Sequence, residues 1–466
     1  MENNNSTVSK LGARKWIIFI LIGLMGQFAW TIENMYLNTY ITYLNFSAPA
    51  GQGFEYSTFI AVTTALSAIT ATFTTLFMGG LTDKLNKRKY FISFGYLIWG
   101  LATASFGLFN VTSNNELIPI SMAASSAAIM VIIVDCIMTF FGSTANDAAF
   151  NSYVTINTND KNRGKVEGVL QILPLISMLI IFVGLNGLTT DSGGNRWDLF
   201  FYIIGGLVFI VGIISLFLIP KEVAVTRKEE KYFSIMLDGF KPSTIKENKK
   251  LYLILIAYFI YSVATQIYFP YLMVYIEKTS MIANTGSSFL TPFAIVMALA
   301  LLLGSAGSVL ISSLGDKKGR IKITYLGILV LVIGLFMMFF NPYIKDDTGR
   351  IIYSAVSGTI MILGYIALQA LLNAEVRNNV PKGKEGIFMG VRMIFVVLLP
   401  MCIGPFIGDA LNKNLGDTYE GTYGVVSVIP TNRGYIVALG VLLLTLIPLY
   451  FIHLENKKSS LKEQNQ

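Results

Sequence analysis

Twelve stretches of the chain, each about 20 residues or longer, are almost free of charge and so long enough to cross a hydrocarbon core. They lie near 16–41, 57–82, 89–109, 121–148, 165–187, 198–219, 251–276, 288–314, 321–341, 351–373, 386–410 and 434–453. A helix rises about 1.5 Å per residue, so each run spans a core roughly 30 Å thick. No water is present there to satisfy backbone N–H and C=O groups, and a helix satisfies its own. The sequence therefore predicts an all-α integral membrane protein with twelve transmembrane helices. Composition agrees: 54% of the 466 residues are hydrophobic and 13% charged, against roughly 25% charged in an ordinary soluble domain.

The net charge of +8 does not mark a nucleic-acid binder, because no basic domain stands apart from the apolar runs. Placement of the bases reports topology instead. With the amino terminus inside, 28 of the 35 Lys and Arg fall on the inner side. Six fall outside: Arg196, Lys278, Lys345, Arg350, Lys413 and Arg433. The positive-inside rule then orients the chain with both termini in the cytoplasm, as a multi-pass protein of the plasma membrane. Residues Met1 to Lys15 are polar, and the following run carries Glu33 and Asn34 with no small-residue cleavage site, which predicts a retained first helix and not a removed signal peptide.

Two cysteines, Cys136 and Cys402, sit in different halves, and the one histidine, His453, ends the last helix. Neither a disulfide framework nor a zinc site follows from that inventory, and no cofactor is expected. The chain has no Gly-x-Ser-x-Gly, no His-Glu-x-x-His and no Gly-x-x-x-x-Gly-Lys-Ser/Thr loop, which argues against an enzyme and against an ATP-driven pump.

The longest polar stretch between helices, Lys221 to Lys250, falls mid-chain and divides a first bundle (1–220) from a second (251–466), with 221–250 as a cytoplasmic linker. Each bundle holds six helices, and the two echo each other. Gly79-Gly80-Leu81-Thr82-Asp83-Lys84-Leu85-Asn86-Lys87-Arg88 closes helix 2, and Ser312-Ser313-Leu314-Gly315-Asp316-Lys317-Lys318-Gly319-Arg320 closes helix 8. A Gly-x-x-x-Gly-Val spacing opens helix 5 at Gly164 and helix 11 at Gly386. Such internal repetition is characteristic of secondary transporters.

The two segments at Asp83 and Asp316 resemble the loop signature of the major facilitator superfamily, Gly-x-x-x-Asp-basic-x-Gly-basic-basic, with Asn86 and Ser312 in place of two of its glycines. The resemblance implies a two-bundle carrier with the gating residues Asp83, Arg88, Asp316 and Arg320 at the cytoplasmic side. It places Asp83 against the start of helix 11 near Gly386, and Asp316 against helix 5 near Gly164. Asp147, Arg163 and Glu167, with Lys165, cluster where helices 4 and 5 meet the cytoplasm and extend that gate. A further likeness, to glycoside-pentoside-hexuronide cation symporters and sucrose-type carriers, rests on Gln27, Trp30 and Glu33, on Asp135, and on Arg163 to Gly168. Sodium-coupled members of that group carry acidic residues in helix 2, and none lies between Glu55 and Asp83. A proton is therefore the expected coupling ion.

Gln27, Trp30, Asn34 and Asn38 share one face of helix 1, with Glu33 beside it. Polar side chains on such a face look into the bundle or a water-filled cavity. A hydroxylated solute needs amides, a carboxylate and an aromatic plate, and Gln27, Trp30, Glu33 and Asn34 supply them. From the other half, Gln266, Tyr268, Tyr365 and Gln369 are the matching candidates, with Asn373 one turn further along. Tyr275 reads as an interfacial anchor, and Arg392, about two turns inside the membrane, as a side chain that snorkels to the surface. The stripe Thr63, Ser67, Thr70 and Thr74 on helix 2 reads as close packing, as does Gly404 to Gly408 on helix 11. Asp135 lies near the bilayer midplane with Thr139, Gly142 and Asn146 on its face, and is the candidate proton site, with Glu33 as rival. These readings combine into proton-coupled symport of a sugar or glycoside by alternating access. The alternative within the fold is a proton-coupled exporter of drugs or metabolites, which requires a more apolar cavity.

Overall fold

The computed structural model describes residues 11–85, 87–109, 123–158, 163–190, 195–220, 239–282, 291–381 and 385–464. Twelve apolar helices run through it: α1 (Ala13–Phe46), α2 (Tyr56–Leu85), α3 (Arg88–Leu108), α4 (Ala124–Asn157), α5 (Arg163–Gly184), α6 (Trp197–Leu218), α7 (Lys249–Thr279), α8 (Pro292–Lys318), α9 (Arg320–Tyr343), α10 (Asp347–Asn379), α11 (385–415) and α12 (Arg433–Glu455). Eleven are long and apolar enough to cross a membrane; in α5 the apolar part is the shorter segment Gly168–Gly184. The expected all-α membrane architecture is thus present.

Many helices outrun the apolar segments that predict them. α10 has 33 residues, about 50 Å at 1.5 Å per residue and longer than the hydrocarbon is thick. The additional turns are polar and lie outside the range a hydropathy window detects. Four helices are also locally widened to π geometry, at Ile32–Tyr36 in α1, Ser143–Phe150 in α4, Tyr275–Thr279 in α7 and Ile394–Leu398 in α11. Such turns collect at functional sites because they re-aim side chains and free carbonyls.

Within each half, small residues let helices touch backbone to backbone. Gly100 on α3 and Gly205 on α6 face each other so closely that an added Cβ would lie 2.6 Å from the other's carbonyl oxygen. Between the halves, α2 packs on α11 and α5 on α8. Gly404 and Gly408 press α11 onto α7, with Gln266 and the Ile267 carbonyl filling the space a side chain would need. That Gly-x-x-x-Gly face is therefore used inside the chain.

The end of the molecule that carries the repeated loop motifs, the motif face, ties its helices through basic residues. Arg14 donates to the carbonyls of Leu218 and Phe217 at the end of α6 (2.9 and 3.3 Å), where the helix dipole favours a cation. Lys249 pairs with Glu455 at 2.7 Å. Gly319, between α8 and α9, has φ +94°, which explains why the loop motif places glycine there. Its counterpart Asn86 is outside the described residues.

At the opposite end, α11 and α12 are joined by a two-stranded hairpin, β1 (Thr418–Glu420) and β2 (Val426–Val428). Hydropathy places only a loop there, although Thr-Tyr-Glu-Gly and Tyr-Gly-Val-Val-Ser-Val carry a hairpin's signal, β-branched and aromatic residues around glycines. The hairpin closes over the first half. Tyr419 lies edge-on to Phe46 at 5.2 Å, Tyr56 donates its hydroxyl to the Val428 carbonyl at 2.8 Å, and Val425 is buried with Ala48, Ala124 and Phe54.

The glycine contacts are testable. Gly205→Val should lower the midpoint of thermal unfolding in detergent by several degrees, because backbone atoms of α3 block the added carbons. Gly206→Val, at a position with open space beside it, should leave the midpoint near that of the parent. Equal midpoints for both variants would contradict the α3–α6 packing.

Candidate functional site

The widened turn of α1 places Glu33 and Asn34 on the space between the halves. Asn34 donates its amide to the Trp30 carbonyl at 2.8 Å. Thr31, on the opposite face, donates to the Gln27 carbonyl at 2.7 Å and meets Ser177 of α5 at 3.0 Å. Tyr96 of α3 braces the crossing of α1 and α4, donating to the Ile22 carbonyl at 2.7 Å and lying 3.2 Å from Asn146 Oδ1. Gly26 is tight against both partners, and Gly142 against the indole of Trp99.

Two carboxyl groups converge on this scaffold. Glu33 accepts a hydrogen bond from Thr139 of α4 at 3.0 Å through Oε1, and its Oε2 is buried with no partner. Asp135 is fully buried; Ser67 of α2 donates to its Oδ2, and its Oδ1 has no partner. Neither carboxyl has an ion-pair partner among the described residues. Threads of hydroxyl groups thus bind α1 to α4 and α2 to α4 around two acids. The hydroxyl stripe of α2, read from sequence as packing, does more than pack: Ser67 holds Asp135, and Thr63 lines the cavity next to it.

That cavity is small and lies between the halves. Its walls include Glu33, Asn34, Asn38, Thr64 and Ser67 from the first half, and Gln266, Phe269 and Met401 from the second. Of the candidates read from sequence, Glu33, Asn34 and Gln266 therefore come together. Trp30 packs edge-on to Trp99 with ring centroids 5.0 Å apart, and it and Gln27 are half-buried on the same side of α1. Tyr365 lies between Phe269 (5.6 Å) and Tyr261 (6.2 Å), and Gln369 follows one turn along α10.

Tyr268 does not join them. It is buried against Tyr435 of α12 at 5.3 Å, inside the second half. The 3₁₀ turn at Phe269–Tyr271, imposed by Pro270, rotates the chain so that Phe269 faces the cavity in its place. Tyr275, read as an interfacial anchor, is also interior, donating to the Met338 carbonyl at 2.6 Å.

On the motif face Arg88 is buried, its Nε 2.8 Å from Ser152 Oγ on the extension of α4. Asp147 is half-buried on the widened turn of α4, and Arg320 is half-buried where α9 begins, next to Gly315. The side chains of Asp83, Asp316, Arg163 and Glu167 lie outside the described residues. At the hairpin face the halves are held together. Asp409 of α11 accepts from Thr58 of α2 at 3.2 Å and pairs with Lys413 at 3.2 Å, and Asn412 donates to Ser57 at 3.3 Å. Beyond these contacts a cavity of about 1150 Å³ opens under the hairpin, with Tyr43, Trp197, Glu277, Lys278 and Asn432 among its walls. No cluster of metal-binding side chains occurs among the described residues.

Two helical halves packed around a central polar cavity, with acids inside the membrane span, have the architecture of a polytopic membrane transporter. The chain belongs to the Major Facilitator Superfamily, whose profile matches residues 19–405. No curated protein sequence matches it significantly. Among solved structures it is similar to the nucleoside transporter NupG, with a TM-score of 0.65 over 95% of this chain and 99% of that one. It is also similar to the xylose transporter XylE from E. coli in a partially occluded inward-open conformation (0.64; 94% and 97%). A third is a bacterial homologue of the human lysosomal transporter Spinster in an inward-facing, occupied conformation (0.65; 96% and 98%). Identity is 13% in each case, so the likeness is one of fold.

The placement of Gln266 and Tyr268 gives a direct test. Gln266→Ala should weaken binding of a transported solute about tenfold, the scale of one lost polar contact in a closed site. Tyr268→Phe, removing a buried hydroxyl that lies outside the cavity, should leave uptake and thermal midpoint unchanged. Loss of uptake in Tyr268→Phe alone would move the site into the second half.

Proposed function

We propose that this protein carries a small hydroxylated solute, a sugar or glycoside, together with a proton, by exposing the central cavity to the two sides in turn. The supporting observation is the pair of acids. A carboxylate near the bilayer midplane costs about 2.5 to 3.5 kcal/mol on insertion scales, and neither Asp135 nor Glu33 has a counter-ion among the described residues. With both acids protonated the closed site carries no charge, and release of a proton from one of them when the site opens links the solute to a proton gradient. Ser67 and Thr139 serve as relays, since each hydroxyl contacts a carboxyl from a neighbouring helix. The cavity suits a polyol: Asn34, Asn38, Thr63 and Gln266 offer hydrogen bonds, and Phe269 offers flat apolar surface for a ring. A polar lining of this kind favours the hydroxylated solute over the amphiphilic cargo of an exporter.

In this reading residues 1–220 and 251–466 are the two moving halves, and 221–250 a cytoplasmic linker. Both termini face the cytoplasm across the plasma membrane. The motif residues Asp83, Arg88, Asp316 and Arg320, with Asp147, Arg163 and Glu167, form the inner gate, and the Asp409, Asn412 and hairpin contacts form the outer one. Across a potential of about 100 mV, one charge moved per cycle contributes about 2.3 kcal/mol, close to fiftyfold accumulation.

Asp135→Asn keeps the shape and one hydrogen bond to Ser67 but cannot titrate. In proteoliposomes it should retain solute exchange and lose accumulation driven by a pH gradient. Normal gradient-driven accumulation, with parental proton movement in the medium, would show that Asp135 is not the coupling site.

A further inference from the structure

Asp147 lies in the inner gate, yet it lacks what a gate acid needs. Such an acid acts through a cation on a neighbouring element, and Asp147 forms no ion pair among the described residues. It stands half-buried on α4, twelve residues beyond the fully buried Asp135 toward the motif face, about 18 Å along the helix. A column of side chains leads to it instead. Asp135, Thr139, Ser143 and Asp147 recur at every fourth residue of α4. In a regular helix each such step drifts round the axis by about 40°, which would carry Asp147 off the face that Asp135 occupies. From Ser143 to Phe150 the helix is widened to π geometry and winds less per residue, so part of that drift is taken back. Asp147 accordingly lies near enough for its charge to act on Glu33 of α1 and on Tyr96 of α3.

Thr139 and Ser143, both fully buried, are the rungs of this column. Thr139 donates to Glu33 at 3.0 Å, Ser67 of α2 donates to Asp135 and lies beside Glu33, and Ser143 lies beside the Asp147 carboxyl. No helix packed round the column brings a base to Asp147. α1 and α4 carry no Lys or Arg between Trp16 and Phe46 or between Ala124 and Asn157, and α2 has no charged residue between Glu55 and Asp83. α3 contributes the Tyr96 hydroxyl, held by the Ile22 carbonyl and Asn146, and Arg88, whose Nε is directed to Ser152 more than a turn further along α4. Three acids thus share one side of the first half, joined by hydroxyls and tied to no cation. The last of them is the one nearest the motif face.

We propose that Asp147 is the inner proton-exchange residue of the cycle. When the halves part at the motif face, its carboxylate takes the proton released by the Asp135 and Glu33 pair, with the hydroxyls of Thr139 and Ser143 as stations along the way, and passes it to water on that side. The transfer leaves one carboxylate in the pair and a neutral Asp147, and loss of the proton to water restores the Asp147 carboxylate, so one proton enters and one leaves. This rests on the proton-coupled reading above and adds the inner end of the path. Proteoliposomes of the full-length protein, motif face inside, are given an inward proton gradient with glucose, sucrose or methyl glucoside as probe, and a probe that the parent accumulates is used for the variants. Parental uptake should rise with inner pH, because the acceptor must be ionised to take the proton. Asp147→Asn should keep solute exchange at the parental rate, lower the initial rate of gradient-driven uptake at least about tenfold, and flatten its dependence on inner pH. Asp147→Glu should restore most of the rate and the pH profile. Ser143→Ala should slow net uptake severalfold and spare exchange, and it decides the matter if Asp147→Asn does not fold. Parental net uptake with an unchanged pH profile in Asp147→Asn would overturn the assignment. Equal loss of exchange and net uptake would also overturn it, since a gate or packing residue behaves that way. If the parent accumulates none of the probes on a proton gradient, the proton-coupled sugar reading fails, and this inference fails with it.

Discussion

Hydrocarbon offers no hydrogen-bond partner, so every polar group this chain carries into the membrane must find one within the chain. Backbone groups meet the requirement through twelve helices. Where a helix is widened, a side chain takes the freed carbonyl, as Asn34 does for Trp30. Tyr40, Tyr96, Tyr261 and Tyr275 likewise direct their hydroxyls to carbonyls of neighbouring helices, so each aromatic fills core volume and closes a polar contact at once. Among the buried side-chain atoms left without a hydrogen bond are one oxygen each on Glu33 and Asp135, and Glu33 lines the cavity between the halves.

The same constraint gives the two halves different characters. In the first, α1, α2 and α4 hold acids through hydroxyls, and tight glycines at 26 and 142 fix the spacing. In the second, α7 and α10 meet through aromatic rings, Tyr365 lying between Phe269 and Tyr261. Repetition in the sequence produced equivalent packing, α2 on α11 and α5 on α8, without equivalent chemistry.

The hairpin adds an asymmetry the repeat does not contain. It belongs to the connection between α11 and α12 yet seats Val425 and Tyr419 on the first half. Thr279 of α7 donates to the Pro430 carbonyl just beyond it, at 2.5 Å. One connection therefore bridges both halves at the face opposite the loop motifs, alongside the Asp409 and Asn412 contacts.

Composition and periodicity by themselves determined that the chain crosses a membrane, how many times, and which superfamily signature it carries, because apolar length and loop motifs are local properties. They also placed Glu33, Asn34 and Gln266 on cavity-facing stripes, since a polar residue in an apolar run has few places to go. They did not determine which hydroxyls hold the acids. Ser67 and Asp135 are 68 residues apart, and their meeting depends on how α2 and α4 cross. Nor did they place Tyr268, whose helical phase is reset by the turn at Pro270, or Arg392, whose guanidinium donates to the Asn373 amide oxygen on α10. Side-chain partnership across helices is a product of packing, and only the tertiary structure sets it.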